Sequence, residues 1–368
     1  MSENNRKIIS PIPVRTWRGL GVNHAFLEEQ DIKLKPYHRQ IFEKRNSIDE
    51  FGIVTELTEK QNQEAHFIDK QYKGLDQNIL EQCIKEYNTG VYIEAQEGTS
   101  RQEPIILHYT LDKENNTLID NNLIIAKENS EITVIIQYDS KVKGYHNGLT
   151  RIFGKKGSRI KLVKVQTLSD DSTHLDAVYT KLEDNAEIEY TLIELGAKNG
   201  IIHNQSDLIG TNSRTNLKMA YITDKDRKID MNYIMNHVGR ETNSQIDVKG
   251  ALLDEADKIF RGTIDLRKGA VKAKGKEEEY TILLSDKVRN RSVPILLCTE
   301  HEVEGQHAAS TGKVDENKLF YLMSRGLSEY EAKKLIVEAS LNPIIDQIPD
   351  ELIREEINDY VRRKFINE

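Results

Sequence analysis

The sequence predicts a mainly β fold: a right-handed parallel β-helix, or β-solenoid, over residues 88–313. It predicts flanks of an N-terminal arm and α-helical domain over residues 1–87 and a small C-terminal α-helical domain over residues 314–368. Three observations lead there. First, the segments N-S-E-I-T-V-I-I from Asn129, G-S-R-I-K-L-V-K from Gly157, N-A-E-I-E-Y-T-L from Asn185 and N-S-R-T-N-L-K-M from Asn212 share one template. They start 28, 28 and 27 positions apart, and N-S-Q-I-D-V-K-G from Asn243 reads as a fifth copy after 31. Second, beyond Gly90 the chain turns to short β-branched runs with alternating apolar and polar residues, broken by Asn, Asp, Gly and Ser. Third, the period becomes helical again after Gly312.

A repeat of this length suits coils that cannot bury their apolar faces alone and must stack on their neighbours. A propeller repeats at about 40–50 residues, and a jelly roll has no reason to hold a 28-residue register.

Taken in order, the arm carries Pro11, Pro13, Gly19 and Gly21 around Trp17, which reads as an anchor against the next domain. From Ala25 to Tyr87 the chain is charged and helix-permissive. Ile79, Leu80, Cys83, Ile84 and Tyr87 fall at helical intervals, which places Cys83 on a buried face. Within the repeats His146, His174 and His203 recur at 28 and 29 positions, a spacing that invites a metal stripe. The preferred reading is histidines at coil corners, each capping a neighbouring carbonyl. Asp224, Asp226 and Asp230 lack the glycine a calcium loop needs and read as a solvated turn.

After the repeats, Asp315 caps a helix over 316–324 with Gly326 as its stop, and Ser328 with Glu331 forms a capping box. Asn342-Pro343 should interrupt that second helix, and Pro349-Asp350 should open a last one through Ile353, Ile357 and Val361. Such a module suits a cap on the last coil, a surface for a partner, or both.

Bulk properties exclude several functions. A net charge of -8 and a pI near 5.8 over 368 residues argue against nucleic-acid binding, which draws on excess Lys and Arg. The apolar runs are too short for a bilayer and the first residues are polar, so the expected location is the cytoplasm. Cys83 and Cys298 are too few for a disulfide framework or a four-thiolate metal site.

The stretch from Pro294 to Gly326 gathers Cys298, His301, Glu302, Glu304 and His307 in a spacing that matches no standard zinc pattern. On a strand Cys298, Glu300, Glu302 and Glu304 face one way and His301 the other, so all five do not converge. On the residues alone, His307 reads as a junction histidine bonded to a turn carbonyl or as a ligand.

The motif G-Q-H-A-A-S-T-G-K-V-D-E-N-K-L-F-Y-L-M-S-R-G from Gly305 resembles the C-terminal signature of the SufB/SufD family, scaffold subunits of the Suf iron-sulfur cluster assembly machinery. N-T-G-V-Y-I from Asn88, E-P-I from Glu103 and the stretch from His237 to Leu266 are similar as well, so the likeness covers about residues 85–345. It implies a β-helix core with helical flanks. His307 followed by Ala308 is similar to the SufD branch, where SufB-like chains carry His-Glu.

The resemblance implies that His307 gives its imidazole to a nascent cluster, facing a cysteine of a SufB-like subunit across the interface. That cluster would be transient and shared, none being held stably by this chain alone. Mixed imidazole and thiolate ligation is known for iron-sulfur centres. Many SufD chains have a cysteine where this one has Gly305, and Cys298, aligned from Pro294, falls at an apolar strand position expected in the core.

The resemblance assigns Leu319, Phe320, Tyr321, Arg325 and Gly326 to docking of a SufC-like ATPase. About half of the apolar residues there are expected to face inward. Gly154, Gly157, Gly269 and Gly275 form no phosphate-binding loop, so nucleotide chemistry falls to the partner. The expectation is a cytoplasmic, non-catalytic SufD-like scaffold that pairs with a SufB-like subunit and forms a homodimer when isolated, without nucleic acid or membrane. One rival is a SufB-like homodimeric scaffold, which would carry a core cysteine where residues 84–297 have none. The other is a carbohydrate-active β-helix enzyme, which would repeat acidic residues at the coil period.

Overall fold

A computed structural model describes residues 6–16, 18–28, 32–39, 41, 47–64 and 72–365. Trp17 lies outside the described residues. The chain is mainly β, with 49% of the described residues in strands and a solenoid of about eight turns.

Each turn contributes one strand to each of two sheets. The ten-stranded sheet carries β3 (Ser47–Asp49), β4 (Gly52–Glu56), β5 (Val91–Ala95), β7 (Thr117–Ala126), β9 (Tyr145–Gly154), β11 (Thr173–Leu182), β13 (Asn199–Leu208), β15 (Lys228–His237), β17 (Asp257–Leu266) and β19 (Arg289–Cys298). The eight-stranded sheet carries β6 (Ile105–Leu111), β8 (Glu131–Ser140), β10 (Arg159–Thr167), β12 (Glu187–Glu194), β14 (Arg214–Thr223), β16 (Asn243–Leu252), β18 (Lys274–Leu283) and β20 (Glu304–Lys313). From β5 onward all pairings are parallel, and rungs repeat about 4.8 Å apart.

The repeats are the coils. Glu131, Arg159, Glu187 and Arg214 stand in register, the 28, 28 and 27 positions of the sequence template. Asn129, Gly157, Asn185 and Asn212 all take positive φ between 55° and 69°, which explains why this corner selects Asn or Gly. The fifth copy is out of phase: Asn243 pairs with Arg214, and the left-handed corner falls on Glu241 at φ 57°. That coil is 29 residues long, and a chance Asn-Ser two residues on imitated the template.

The apolar core lies between the sheets, with Leu107, Val134, Leu162, Ile188 and Met231 among its fully enclosed members. Both outer faces are also covered, which is why strands such as β9 and β11 are buried at nearly every position rather than alternately. On the ten-stranded sheet the cover is N-terminal. β1 (Arg6–Ile9) pairs antiparallel with β2 (Ala25–Glu28), and Ile9 and Ala25 pack with Leu175 and Ile201.

Helix α2 (Gln77–Lys85), capped by Asp76, lays Leu80 and Cys83 against Leu123 and Leu149, so Cys83 is buried as expected. The described N-terminal residues are otherwise less helical than expected. They add only α1 (Glu59–Glu64), a short 3-10 turn and four strands, of which β3 and β4 extend the sheet antiparallel to β5.

On the eight-stranded sheet the cover is α4 (Glu329–Ile345) and α5 (Glu351–Arg363). Val337, Leu341, Ile344, Ile353, Ile357 and Val361 pack on Ile135, Val163, Ile193, Ala220 and Ile222. These helices therefore lie along the flank of the solenoid and do not cap its last coil. Asp315, the Ser328–Glu331 capping box and Asp350 act as the expected N-caps. Pro343 does not interrupt α4, because it sits in the final turn, where one lost hydrogen bond leaves the helix intact.

The repeated histidines are not corner caps. His146 and His174 share a rung column inside the solenoid and stack with Nδ1 atoms 2.7 Å apart, while His146 Nε2 meets Asp120 Oδ1 at 2.6 Å. His203 leaves the column: its register partner is Ala177, and it faces outward under Tyr72. The turn at Lys225 is not fully solvated either, since Asp224 is buried and ion-paired with Arg227 and Lys364.

Candidate functional site

A parallel coil hides its interior only while another coil lies above it. The last rung is made by β19 and β20, the terminal strands of their sheets, so side chains that would be core one coil earlier stand in the open. Cys298 occupies the rung above Leu266, which is buried, yet Cys298 is exposed and its Sγ donates to the Glu300 carbonyl at 3.0 Å. The core position expected for it is therefore overturned, because no coil follows.

His307 lies on β20 in register with Glu277 and faces the solenoid interior. It is a strand residue, not a turn residue, and is exposed like all of β20 except Gly312. No hydrogen bond holds its imidazole among the described residues, which leaves both ring nitrogens free for chemistry. The other members of the cluster stand apart from it. His301 is exposed in the connecting turn, Glu304 pairs with Lys274 at 2.9 Å, and Glu300 accepts from the Gly269 and His301 amides. The Gly269 amide, then that of His301, holds the Glu300 carboxyl below its usual range. Among the described residues no three His, Cys, Asp or Glu side chains converge on one point.

One rung below, the interior turns polar, which the sequence reading missed. Lys258 of β17 is ion-paired with Glu279 and also reaches Asn290 Oδ1 at 3.0 Å and Ser292 Oγ at 3.1 Å. Burial lowers the Lys258 pKa, against the opposing pull of Glu279. Glu277 is 1% exposed and neither carboxylate oxygen has a hydrogen-bond partner. Burial, then Glu279, pushes its carboxyl up to about 8. The only signal in K-E-E-E-Y was the strand period that puts Glu277 and Glu279 on the inner face, and a charged run of this kind normally reads as solvated.

Beside this open end stands α3 (Glu316–Ser324), which buries none of its residues. Leu319 is half-buried, whereas Phe320 is 75% and Tyr321 57% exposed. Arg325 lies over the Tyr321 ring with its carbon 5.4 Å from the centroid, and Gly326 ends the helix at φ 97°. Tyr321 and Leu322 face Leu335, Ile336 and Ala339 of α4 across an apolar groove of about 440 Å³.

Residues 109–340 match the family model described as SUF system FeS cluster assembly, SufBD core domain. The chain belongs to the SufBD family. It is 26% identical over 281 residues to the iron-sulfur cluster assembly protein SufD of Bacillus subtilis, covering 75% of this chain and 64% of the relative. It is 29% identical over 296 residues to a SufBD family protein of Pyrococcus horikoshii, covering 79% and 65%. The SufB of Bacillus subtilis matches at 25% identity over 268 residues, covering 72% and 58%. The chain thus spans somewhat under two thirds of the length of these relatives. The SufBD match takes in both the terminal coil with His307 and most of α4, so the two features at the open end lie within the family's core. No helix among the described residues is long and apolar enough to cross a membrane.

Proposed function

We propose that this chain is a SufD-type, non-catalytic scaffold subunit for iron-sulfur cluster assembly in the cytoplasm. On this reading its open end pairs with a SufB-like subunit, and α3 with α4 docks a SufC-like ATPase. The observation that carries the reading is His307: an unbonded imidazole on the inward column of a terminal rung, beside two unpaired strand edges. The edge of β20 is suited to pairing. It is ten residues long, has no proline and carries Gly305, Ala308, Ala309, Ser310 and Gly312, which allow close backbone approach. In β19, Pro294 weakens the other edge as a template. A nascent cluster is cargo here, bound by His307 together with thiolates of the partner.

The exposed Phe320 and Tyr321 and the groove behind them support an apolar docking surface for the ATPase subunit. The test is reconstitution with SufB-like and SufC-like subunits. His307→Ala should leave the fold intact and reduce cluster yield, and Phe320→Asp should prevent co-purification of the ATPase. Full yield from the first variant, or retained ATPase with the second, would sink the corresponding half of the proposal. When isolated, the same β20 edge favours a homodimer, detectable by light scattering.

A further inference from the structure

The last closed coil holds a carboxylate with nothing to bind. Glu277 extends across the interior until its carboxylate meets the backbone of Gly262, where any Cβ would overlap it. It is enclosed, and both oxygens are unpartnered. The nearby cation gives it no hydrogen bond: Lys258 is committed to Glu279, Asn290 and Ser292. Two buried carboxylates therefore share this part of the interior with one ammonium. The lid over it is the terminal rung, in which His307 stands directly above Glu277 and Pro294 above Gly262.

We propose that Glu277 and His307 together form a loading site for a divalent first-row metal ion, ferrous iron being the cargo on the reading above, on which this inference rests. Adjacent rungs of a parallel sheet stand about 4.8 Å apart at the backbone, which puts Glu277 and His307 at neighbouring positions of one inward column. Carboxylate and imidazole are a donor pair suited to ferrous iron, with the remaining positions taken by water and later by ligands of a partner. Binding breaks no covalent bond. The ion takes up a lone pair from each ligand, water leaves its shell, and any proton on Glu277 passes to solvent. The ion also adds positive charge beside two carboxylates that share one ammonium, and Gly262 keeps the space that the Glu277 carboxylate occupies.

The test uses the full isolated chain and anaerobic cobalt(II), whose visible bands report ligation without redox chemistry, followed by ferrous iron. We expect one saturable ion per chain and at least tenfold weaker binding in both Glu277→Gln and His307→Ala. His301→Ala, altered in the exposed turn, should bind as the parent does. Circular dichroism and melting confirm that each variant is folded. No saturable binding by the parent, or unchanged affinity in folded Glu277→Gln or His307→Ala, overturns the inference. The two readings fail separately. If Glu277→Gln keeps its affinity while His307→Ala loses cluster yield in the reconstituted complex, this site is wrong and the interface role stands. If both variants lose the ion while His307→Ala keeps full cluster yield, the loading site stands and the interface role is wrong.

Discussion

The Tyr221 hydroxyl bonds Thr281 Oγ1 at 2.9 Å, although a whole strand lies between them. Register places Tyr221 beside Gly250 and Gly250 beside Thr281, so the phenol ring lies flat across a rung that has no side chain. A methyl at Gly250 would overlap the ring. Gly250→Ala should therefore destabilise the chain by about 1–3 kcal/mol, measured by urea unfolding. Combining it with Tyr221→Leu should give a loss smaller than the sum of the two, because both act on one volume. Additive losses would contradict the overlap.

The Asp120 carboxylate is enclosed at the centre of the solenoid. It accepts from His146 Nε2 at 2.6 Å, Tyr138 at 3.0 Å and Asn122 at 2.6 Å. With Nε2 donating, His146 Nδ1 accepts from His174 Nδ1, and His174 Nε2 has no hydrogen bond but stands 3.7 Å from the Glu194 carboxylate. Asp120→Ala would orphan three buried donors at once and should cost on the order of 3–5 kcal/mol. A loss below 1 kcal/mol in equilibrium unfolding would show that these donors find other partners.

His203 is enclosed beneath Tyr72 with neither ring nitrogen bonded, and burial, then the Arg261 charge, lowers its pKa to about 3. An unfolded chain protonates its histidine near 6.5, so below that pH protons favour the unfolded state. Stability is whole above about pH 6.5 and declines toward pH 3, with a limiting slope of about 1.4 kcal/mol per pH unit from this group. His203→Leu should flatten the decline between pH 6.5 and 4. His237, which burial lowers to about 4, keeps its own share of the slope. An unchanged slope in the variant would assign the acid sensitivity elsewhere.

Glu241 occupies the left-handed corner that Asn129, Asn185 and Asn212 fill in earlier coils. Its side chain is exposed, so only the backbone should register a change. Glu241→Asn is expected to raise stability by about 0.5–1 kcal/mol, read as a higher melting temperature. A lower melting temperature would mean that the glutamate itself is needed there.

Much of the solenoid was legible because its rules are local. A left-handed corner favours Asn or Gly, and a stacked strand favours enclosed apolar residues, so the coil length is written in the spacing of Asn129, Gly157, Asn185 and Asn212. Helix caps at Asp315, Ser328 and Asp350 were legible for the same reason, since a cap bonds within three residues of itself. The limits appeared where Glu241 took the corner without the usual residue type, and the template slid two residues to Asn243.

His307 was picked out from sequence through the motif around it, and its environment was not. Cys298 and Leu266 are alike in pattern and differ only in whether another coil lies above. Glu277 and Glu278 are neighbours in a charged run, yet one is enclosed and the other is half-exposed because strand pleating sends them to opposite faces. The placement of α4 and α5 along the flank, rather than over the end, likewise depends on an outer sheet face formed from strands far apart in sequence. By itself the sequence determined the repeating coil, its corners and the residue at the junction. Only the tertiary structure decided which rung comes last, because burial belongs to the stack and not to the strand.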